Sequence, residues 1–527
     1  MAVPRGYGHR LCPGTGCPTA GRGHYIRHMA DTKREIERKY ESDESGLPDL
    51  TGVAGIATVV DKGVTELDAV YYDTPDERLT ASSVTLRRRT GGDDAGWHLK
   101  FPVSAGVRDE IRAPLSGTLP RTLARLVRSR VRDAELVPLV RLRSSRDLRD
   151  LLDADGVLLA EISVDSVRAE RLGGGGRDAQ WSEIEVELAD GGDPAFLDTV
   201  DKKLRKAGIK PSAAPSKLVR ALRETAPVRD VPGPPGPPPP PATAADPVLA
   251  YVRAQRDAIV ALDPAVRRDL PDSVHSMRVA TRRLRSTFRS YAKVLDRAVT
   301  DPVGAELRWL AEELGAGRDQ EVLAERLTAA LDELPRALLA GPVRTRLRTW
   351  SHARRSGSRR RVISVLDGER YLALLGALDA LAADPPLLGA AAEDPGKVLG
   401  RTVRREVERV SGLVRQALDV PPGDDRDLAL HEARKKAKRA RYAAEAAVRL
   451  DDAFAERVRG MKALQTLLGE HQDSVMARQA LREVAAQAHA AGESAFTYGV
   501  LYGREERRAA AAEAALPDAY ERYCAPR

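Results

Sequence analysis

From Val231 to Pro241 the chain reads Val-Pro-Gly-Pro-Pro-Gly followed by five prolines, and the hydrophobic period differs on its two sides. Before this segment, apolar residues recur at every second position. After it the period is helical, and Ala, Leu and Arg dominate. A proline-rich stretch favours polyproline II at about 3.1 Å per residue, so it is a semi-rigid spacer on the order of 30 Å long. The two sides are therefore separate folding units, which 527 residues permit at roughly 150 per domain. The expected division is a disordered leader over 1–29, a β-rich domain over 30–225, a linker over 226–245 and a helical domain over 246–520.

The first 28 residues hold His9, Cys12, Cys17, His24 and His28. They lack the apolar core of a signal peptide, and their spacing fits no usual zinc pattern. Met29 is a candidate start. Three cysteines make no disulfide framework and suggest a reducing, cytoplasmic setting. No stretch is long and apolar enough to span a membrane. The net charge of +8 is modest for a chain that is 31% charged, so local clustering matters more than the total. Aromatics are only 4%, which argues against nucleic-acid readings that need stacking platforms.

In the β-rich domain, Glu35-Ile36-Glu37-Arg38-Lys39-Tyr40-Glu41 alternates polar and apolar residues as a strand does. Glu35, Glu37, Lys39 and Glu41 share one side. Further alternating segments run through Tyr71-Tyr72, Leu86–Arg89, Trp97–Phe101, Val107–Arg112, Val140–Arg143, Leu158–Asp165 and Trp181–Leu188, with a helical stretch near 121–130. Some carry Arg and Lys at every second residue, others Asp and Glu. An antiparallel sheet that curls shut would gather both sets into one lumen. There the basic residues neutralise phosphates and the acids hold Mg²⁺ or Mn²⁺ through oxygen. An ordinary solvated strand face is the alternative, and its cross-strand pairs would contribute ~0–1 kcal/mol each. No P-loop competes for phosphate: the Gly173–Gly176 run lacks a following Lys-Ser or Lys-Thr, and Val398 follows Gly396-Lys397.

Glu35-x-Glu37-x-Lys39 resembles the ExExK opening of the CYTH family, the triphosphate tunnel metalloenzymes. The later order fits too: Leu86-Arg87-Arg88-Arg89, Leu99-Lys100, Arg141-x-Arg143, the acidic strands, then Ser216-Lys217. The resemblance implies an eight-stranded antiparallel tunnel that hydrolyses or cyclises triphosphates with a divalent metal. It implies Glu35 and Glu37 as metal ligands, with Asp165, Glu183, Glu185 and Glu187 on the far wall. Glu161 and Glu110 are further candidates; relatives often carry a second acid where this chain has Arg112. It implies Lys39, Arg87, Arg89, Lys100, Arg141, Arg143 and Lys217 as triphosphate ligands.

The helical half contains an internal repeat. His275-x-x-Arg278-x-x-x-Arg282-x-x-Arg285 recurs as His431-x-x-Arg434-x-x-x-Lys438-x-x-Arg441, with Arg289 extending the first copy and Lys435 within the second. On a helix these positions fall on one basic face over three turns. Leu314-Gly315-Ala316-Gly317-Arg318-Asp319 is likewise echoed by Leu468-Gly469-Glu470-His471-Gln472-Asp473, with Gln472 where the first copy has Arg318. These motifs resemble the CHAD family. That implies an all-α domain of two pseudo-repeated four-helix bundles, binding long-chain polyphosphate along a basic groove. His275 and His431 then serve as neutral hydrogen-bonding or capping groups.

Together the readings give an α+β multidomain protein that hydrolyses inorganic tripolyphosphate with metal and holds polyphosphate on its helical part. A thiamine triphosphatase or an adenylate cyclase of the same tunnel family is one alternative. A non-catalytic polyphosphate binder is another, which the intact ExExK opposes. A nucleic-acid binder is the least favoured, and no membrane role is expected.

Overall fold

The computed structural model describes residues 31–42, 46–173, 177–226, 240–315, 318–355 and 358–524. The leader's cysteines and histidines, most of the proline segment and the tip of the Gly173–Gly176 run lie outside the described residues. The chain divides into two compact units. The first runs through Ala124 and resumes at Ala134; the second takes Arg125–Asp133 and the chain beyond the linker.

Eight strands build the first unit: β1 (Asp31–Glu41), β2 (Thr58–Asp73), β3 (Thr85–Thr90), β4 (Gly96–Ser104), β5 (Val107–Pro114), β6 (Val137–Leu152), β7 (Leu158–Arg171) and β8 (Ala179–Leu188). Every pairing is antiparallel, and the strands close in the order β1-β5-β4-β3-β2-β6-β7-β8. The closure runs through β1, whose first part pairs with β5 at 31–36 and whose second part pairs with β8 at 37–41. A closed sheet has no free edge and can hold charge inside.

Three helices accompany the strands, α1 (Arg78–Ala81), α3 (Ala195–Lys206) and α4 (Lys217–Glu224), while most of α2 (Arg121–Val131) belongs to the second unit. α3 buries Leu197, Val200 and Leu204 on the outside of the barrel, against Ile162, Ile184 and Val186. Fully burying such a side chain stabilises by about 1.5–3 kcal/mol. α4 packs on the inside. Its Leu218, Ala221 and Leu222 meet Ala69, Val140, Leu142, Val167 and Trp181, and so plug one end of the barrel. Ser216 caps this helix by accepting a hydrogen bond from the Val219 amide at 3.2 Å.

The second unit is helical: α5 (Ala245–Arg267), α6 (Ser273–Ser290), α7 (Arg297–Gly315), α8 (Arg318–Asp332), α9 (Val343–Arg355), α10 (Ser358–Asp367), α11 (Glu369–Ala383), α12 (Pro395–Asp419), α13 (Asp424–Ala447), α14 (Asp452–Ala490), α15 (Phe496–Ala514) and α16 (Leu516–Tyr523). Both basic repeats are helical as expected, on α6 and α13. The apolar cores do not divide by repeat, however. One core joins α5–α7 to α11–α13 and the first part of α14. The other joins α8, α9, the second part of α14 and α15. The 39-residue α14 is about 58 Å long, enough to serve both cores. Among the described residues no helix is long and apolar enough to cross a membrane.

Candidate active site and anion groove

Residues directly opposite in a ladder share a face, so the pairings decide what points into the barrel. Glu37 faces Glu187, and Lys39 faces Glu185. Glu183 faces Asp165, which faces Arg146. On the other side Glu35 faces Arg108, Glu110 faces Lys100, Lys100 faces Thr85, and Arg87 faces Tyr71. This single run of inward positions encloses a cavity of about 80 Å³. Glu35, Glu37, Glu185 and Glu187 line it with Lys39, Arg87, Arg89, Lys100, Arg146, Lys217 and Tyr71.

The acids and cations pair with one another. Lys100 lies 2.7 Å from Glu35 and 3.5 Å from Glu110. Lys39 donates to Glu37 at 3.0 Å and to Glu185. Lys217, on the first turn of α4, reaches Asp165, Glu183 and Glu185 at 2.8, 2.7 and 2.6 Å. Arg146 donates to Asp165 at 2.7 Å and to Glu185 at 2.8 Å. Burial raises the Glu35 carboxyl despite Lys100. At Glu37 and Glu185 burial acts upward too, but Lys39 at Glu37, and Lys217 with Lys39 at Glu185, hold both below the usual range. Lys39 and Lys217 are raised against burial, by Glu185 and Asp165 respectively. Arg89 is pushed down to about 9 by burial and by Arg87. The buried Tyr71 phenol sits below its ordinary value despite burial, because Arg87 donates to it at 3.3 Å.

The oxygens of Asp165, Glu183 and Glu185 lie within 4.8 Å of one another. Asp165 and Glu183 are nonetheless engaged by Lys217, by Arg146 and by the Trp181 indole, which donates to Glu183 at 2.6 Å, and neither lines the cavity. Besides Asp94, which pairs with Arg89, the acids facing the space are Glu35, Glu37, Glu185 and Glu187. An all-oxygen set of this kind fits a hard divalent cation. Glu187 also takes Lys33 at 2.6 Å. Glu161 stands beside Glu187, outside the lining. Glu110 is fully buried between His98, Lys100 and Arg112 and acts as counter-ion to the basic wall.

Lys39, Arg87, Arg89, Lys100 and Lys217 are brought together as expected. Arg141 and Arg143 are not. Both sit on the outer face of β6, about 38% and 49% exposed, with Arg141 held by Asp68 at 2.9 Å and Arg143 3.8 Å from Asp68 and from Glu170. Their places on the inner face are taken by Val140 and Leu142, because the plugged end of the lumen is apolar. The inward cation of this strand is Arg146, which motif order missed. Its parity with the core residues Val140 and Leu142 was the available signal. Asp94, which pairs with Arg89, was also missed, and nothing in its loop marked it.

In the helical unit His275, Arg278 and Arg282 of α6 face Arg434, Lys438 and Arg441 of α13 across a groove of about 700 Å³. Arg326 and Gln472 also line it, and Asp473 is its one acidic lining residue among the described residues. Among the described residues the buried Nε donors of Arg282 and Arg434 have no hydrogen-bond partner, and that of Arg441 lies 3.3 Å from Glu445. Burial, with Arg434 and Arg282 nearby, pushes Lys438 down to about 7. His431 is held by Gln472 at 2.6 Å. Arg285, Arg289 and Lys435 do not line the groove. Arg285 lies near Arg289, Arg308 and Glu312, the Arg289 carbonyl accepts from Arg439, and Lys435 pairs with Glu432 at 2.7 Å. The Arg318 side chain lies outside the described residues.

Comparison with known proteins finds a CYTH domain over residues 33–222 and a CHAD domain over residues 250–482. The uncharacterized protein Rv2226 of Mycobacterium tuberculosis is 40% identical over 487 residues, 89% of this chain and 92% of its own. Among solved structures, PptA from Streptomyces chartreusis is 22% identical over 53% of this chain and 99% of its own, at a TM-score of 0.45. HpAC1 from Hippeastrum, described as a putative adenylyl cyclase with a dominant triphosphatase activity, is 18% identical over 37% of this chain and 98% of its own, at a TM-score of 0.24.

Proposed function

Because the chain belongs to the CYTH family through residues 33–222 and to the CHAD family through residues 250–482, we propose that it hydrolyses inorganic tripolyphosphate in its barrel and holds long-chain polyphosphate in its helical groove. CYTH enzymes are metal-dependent and transfer or hydrolyse phosphate. The observation that carries the tripolyphosphate reading is the lumen wall, where five cavity-lining carboxylates, Asp94 among them, meet eight cations around one cavity. Glu35, Glu37, Glu185 and Glu187 would hold Mg²⁺ or Mn²⁺, which when bound supplies Lewis-acid stabilisation of phosphoryl oxygens.

The chain's own residues do the rest. Phosphate oxygens compete for Lys100 and Lys39, drawing them from Glu35 and Glu185 and freeing those carboxylates. Arg87, Arg89, Arg146 and Lys217 spread the remaining phosphate charge from largely buried positions, where such contacts count most. A water then attacks the terminal phosphorus in line, and pyrophosphate leaves. The groove supports polyphosphate holding because, among the described residues, its cations far outnumber its one lining acid, Asp473. A cytoplasmic setting rests on cysteine usage and belongs to the same proposal.

The test is phosphate release from tripolyphosphate, ATP and thiamine triphosphate, each with and without Mg²⁺ or Mn²⁺. Fastest metal-dependent release from tripolyphosphate is expected. A preference for ATP or thiamine triphosphate would overturn the substrate assignment.

A further inference from the structure

The two motifs of the helical repeat meet in space, in both copies. A Cβ placed on Gly315 would lie 2.8 Å from the Arg278 Nη2 and 2.9 Å from its Cζ. A Cβ placed on Gly469 would lie 3.2 Å from the Arg434 Nη2. Gly315 ends α7 and Gly469 lies inside α14; both are buried, and neither has the positive φ that would itself call for glycine. Alanine is the better helix former at such positions. The backbone therefore gives no reason for these glycines, and the guanidinium lying over each one does. Arg278 and Arg434 occupy equivalent places in the repeat, and both line the groove. Among the described residues the Arg434 Nε is buried without a partner, and Asp473 lies 3.6 Å from its guanidinium.

We propose that Gly315 and Gly469 are positioning residues of the polyanion groove, each a bare helix surface against which the guanidinium of Arg278 or Arg434 lies and is held at the groove. The proposal rests on the polyphosphate reading of the groove and adds how its two equivalent arginines are held. A guanidinium kept in one orientation loses less freedom when it binds a phosphate oxygen, so its seat governs affinity without touching the ligand. The closer approach at Gly315 makes that seat the more demanding of the two.

The experiment measures binding of long-chain inorganic polyphosphate to the full-length protein, alongside thermal melting. Gly315→Ala combined with Gly469→Ala should keep or raise the melting temperature and weaken polyphosphate binding about tenfold, the size of one charge-assisted hydrogen bond. Gly315→Ala alone should have the larger share. Adding Arg278→Lys to Gly315→Ala should restore part of the affinity, because an unbranched ammonium clears the new methyl group. Unchanged affinity in the double variant, while Arg278→Ala with Arg434→Ala loses binding, overturns the seating role. A lowered melting temperature without rescue by Arg278→Lys overturns it in favour of simple packing. If the unaltered protein binds no polyphosphate, the groove reading fails first, and the seating role falls with it.

Discussion

The barrel lumen and the helical groove are both rich in Arg and Lys, yet they handle that charge in opposite ways. In the lumen most inward cations have a carboxylate within reach: Lys39 at Glu37, Lys100 at Glu35, Lys217 at Asp165, Arg146 at Glu185 and Arg89 at Asp94, while Arg108 donates to the Pro215 carbonyl. In the groove Arg282 and Lys438 make no ion pair among the described residues, and Arg434 reaches only Asp473. A balanced site can reorganise its own charges around a substrate and a cation, which suits chemistry. A surplus of like charge stores repulsion that a polyanion relieves, which suits holding. The groove's repulsion is visible at Lys438, brought down to about 7 by burial and by the neighbouring Arg434 and Arg282. The lumen instead keeps Lys39 and Lys217 raised.

The largest effect that would sharpen this contrast is at Glu37. Glu37→Gln removes a cavity-facing carboxylate and one of the two acids that hold Lys39. Metal-dependent phosphate release should fall by ~10³-fold, several kcal/mol of transition-state stabilisation, with melting nearly unchanged. The next is on β6. Arg146→Ala should lower kcat/KM for tripolyphosphate by ~10²-fold, while Arg141→Ala and Arg143→Ala stay within about twofold of the parent, since only Arg146 faces the lumen. Loss of activity in the Arg141 variant instead would mean that the outward register does not describe the working enzyme.

A smaller effect belongs to the groove. Arg282→Glu with Lys438→Glu should weaken polyphosphate binding at least about tenfold and lower the log–log salt slope by about 0.7–0.9 for each phosphate no longer neutralised. Titration at several salt concentrations reads both. The smallest is a pH step of a few-fold. Lys438 faces Arg434, Arg282, Arg441 and Asp473. In the free groove it loses its proton as pH rises through about 7, and a bound polyanion restores it. Affinity should therefore fall between pH 7 and 9, and Lys438→Arg should remove the step. The stability sign is opposite. The unfolded lysine keeps its proton to about 10.4, so the unfolded state binds more protons across that window and the fold gains stability as pH rises through it.

Much of this was legible in the sequence because alternation fixes faces. The eight strands, the inward set Glu35, Glu37 and Lys39, the pair Arg87 and Arg89, and the two basic helices all follow from period and spacing. Arg141 and Arg143 misled because alternation gives two faces without saying which is inner, and motif order chose the wrong one. The apolar plug formed by α4 reverses the usual expectation that Val140 and Leu142 face outward. Asp165 and Glu183 were recognisable as lumen acids. Their engagement by Lys217 depends on where α4 docks, which no local pattern encodes. Arg285, Arg289 and Lys435 share the repeat's sequence context with the groove residues, but only packing between α6 and α13 decides which of them meet.

The division of labour is tested most directly by measuring both activities on the same full-length samples. Tripolyphosphate hydrolysis with Mg²⁺ or Mn²⁺ and long-chain polyphosphate binding are read for the parent, for Glu37→Gln and for Arg282→Glu with Lys438→Glu. The expected result is a double dissociation: the Glu37 variant loses hydrolysis and keeps binding, and the groove variant loses binding and keeps hydrolysis. Parental hydrolysis by Glu37→Gln under limiting metal, or loss of tripolyphosphate hydrolysis in the groove variant, would contradict it.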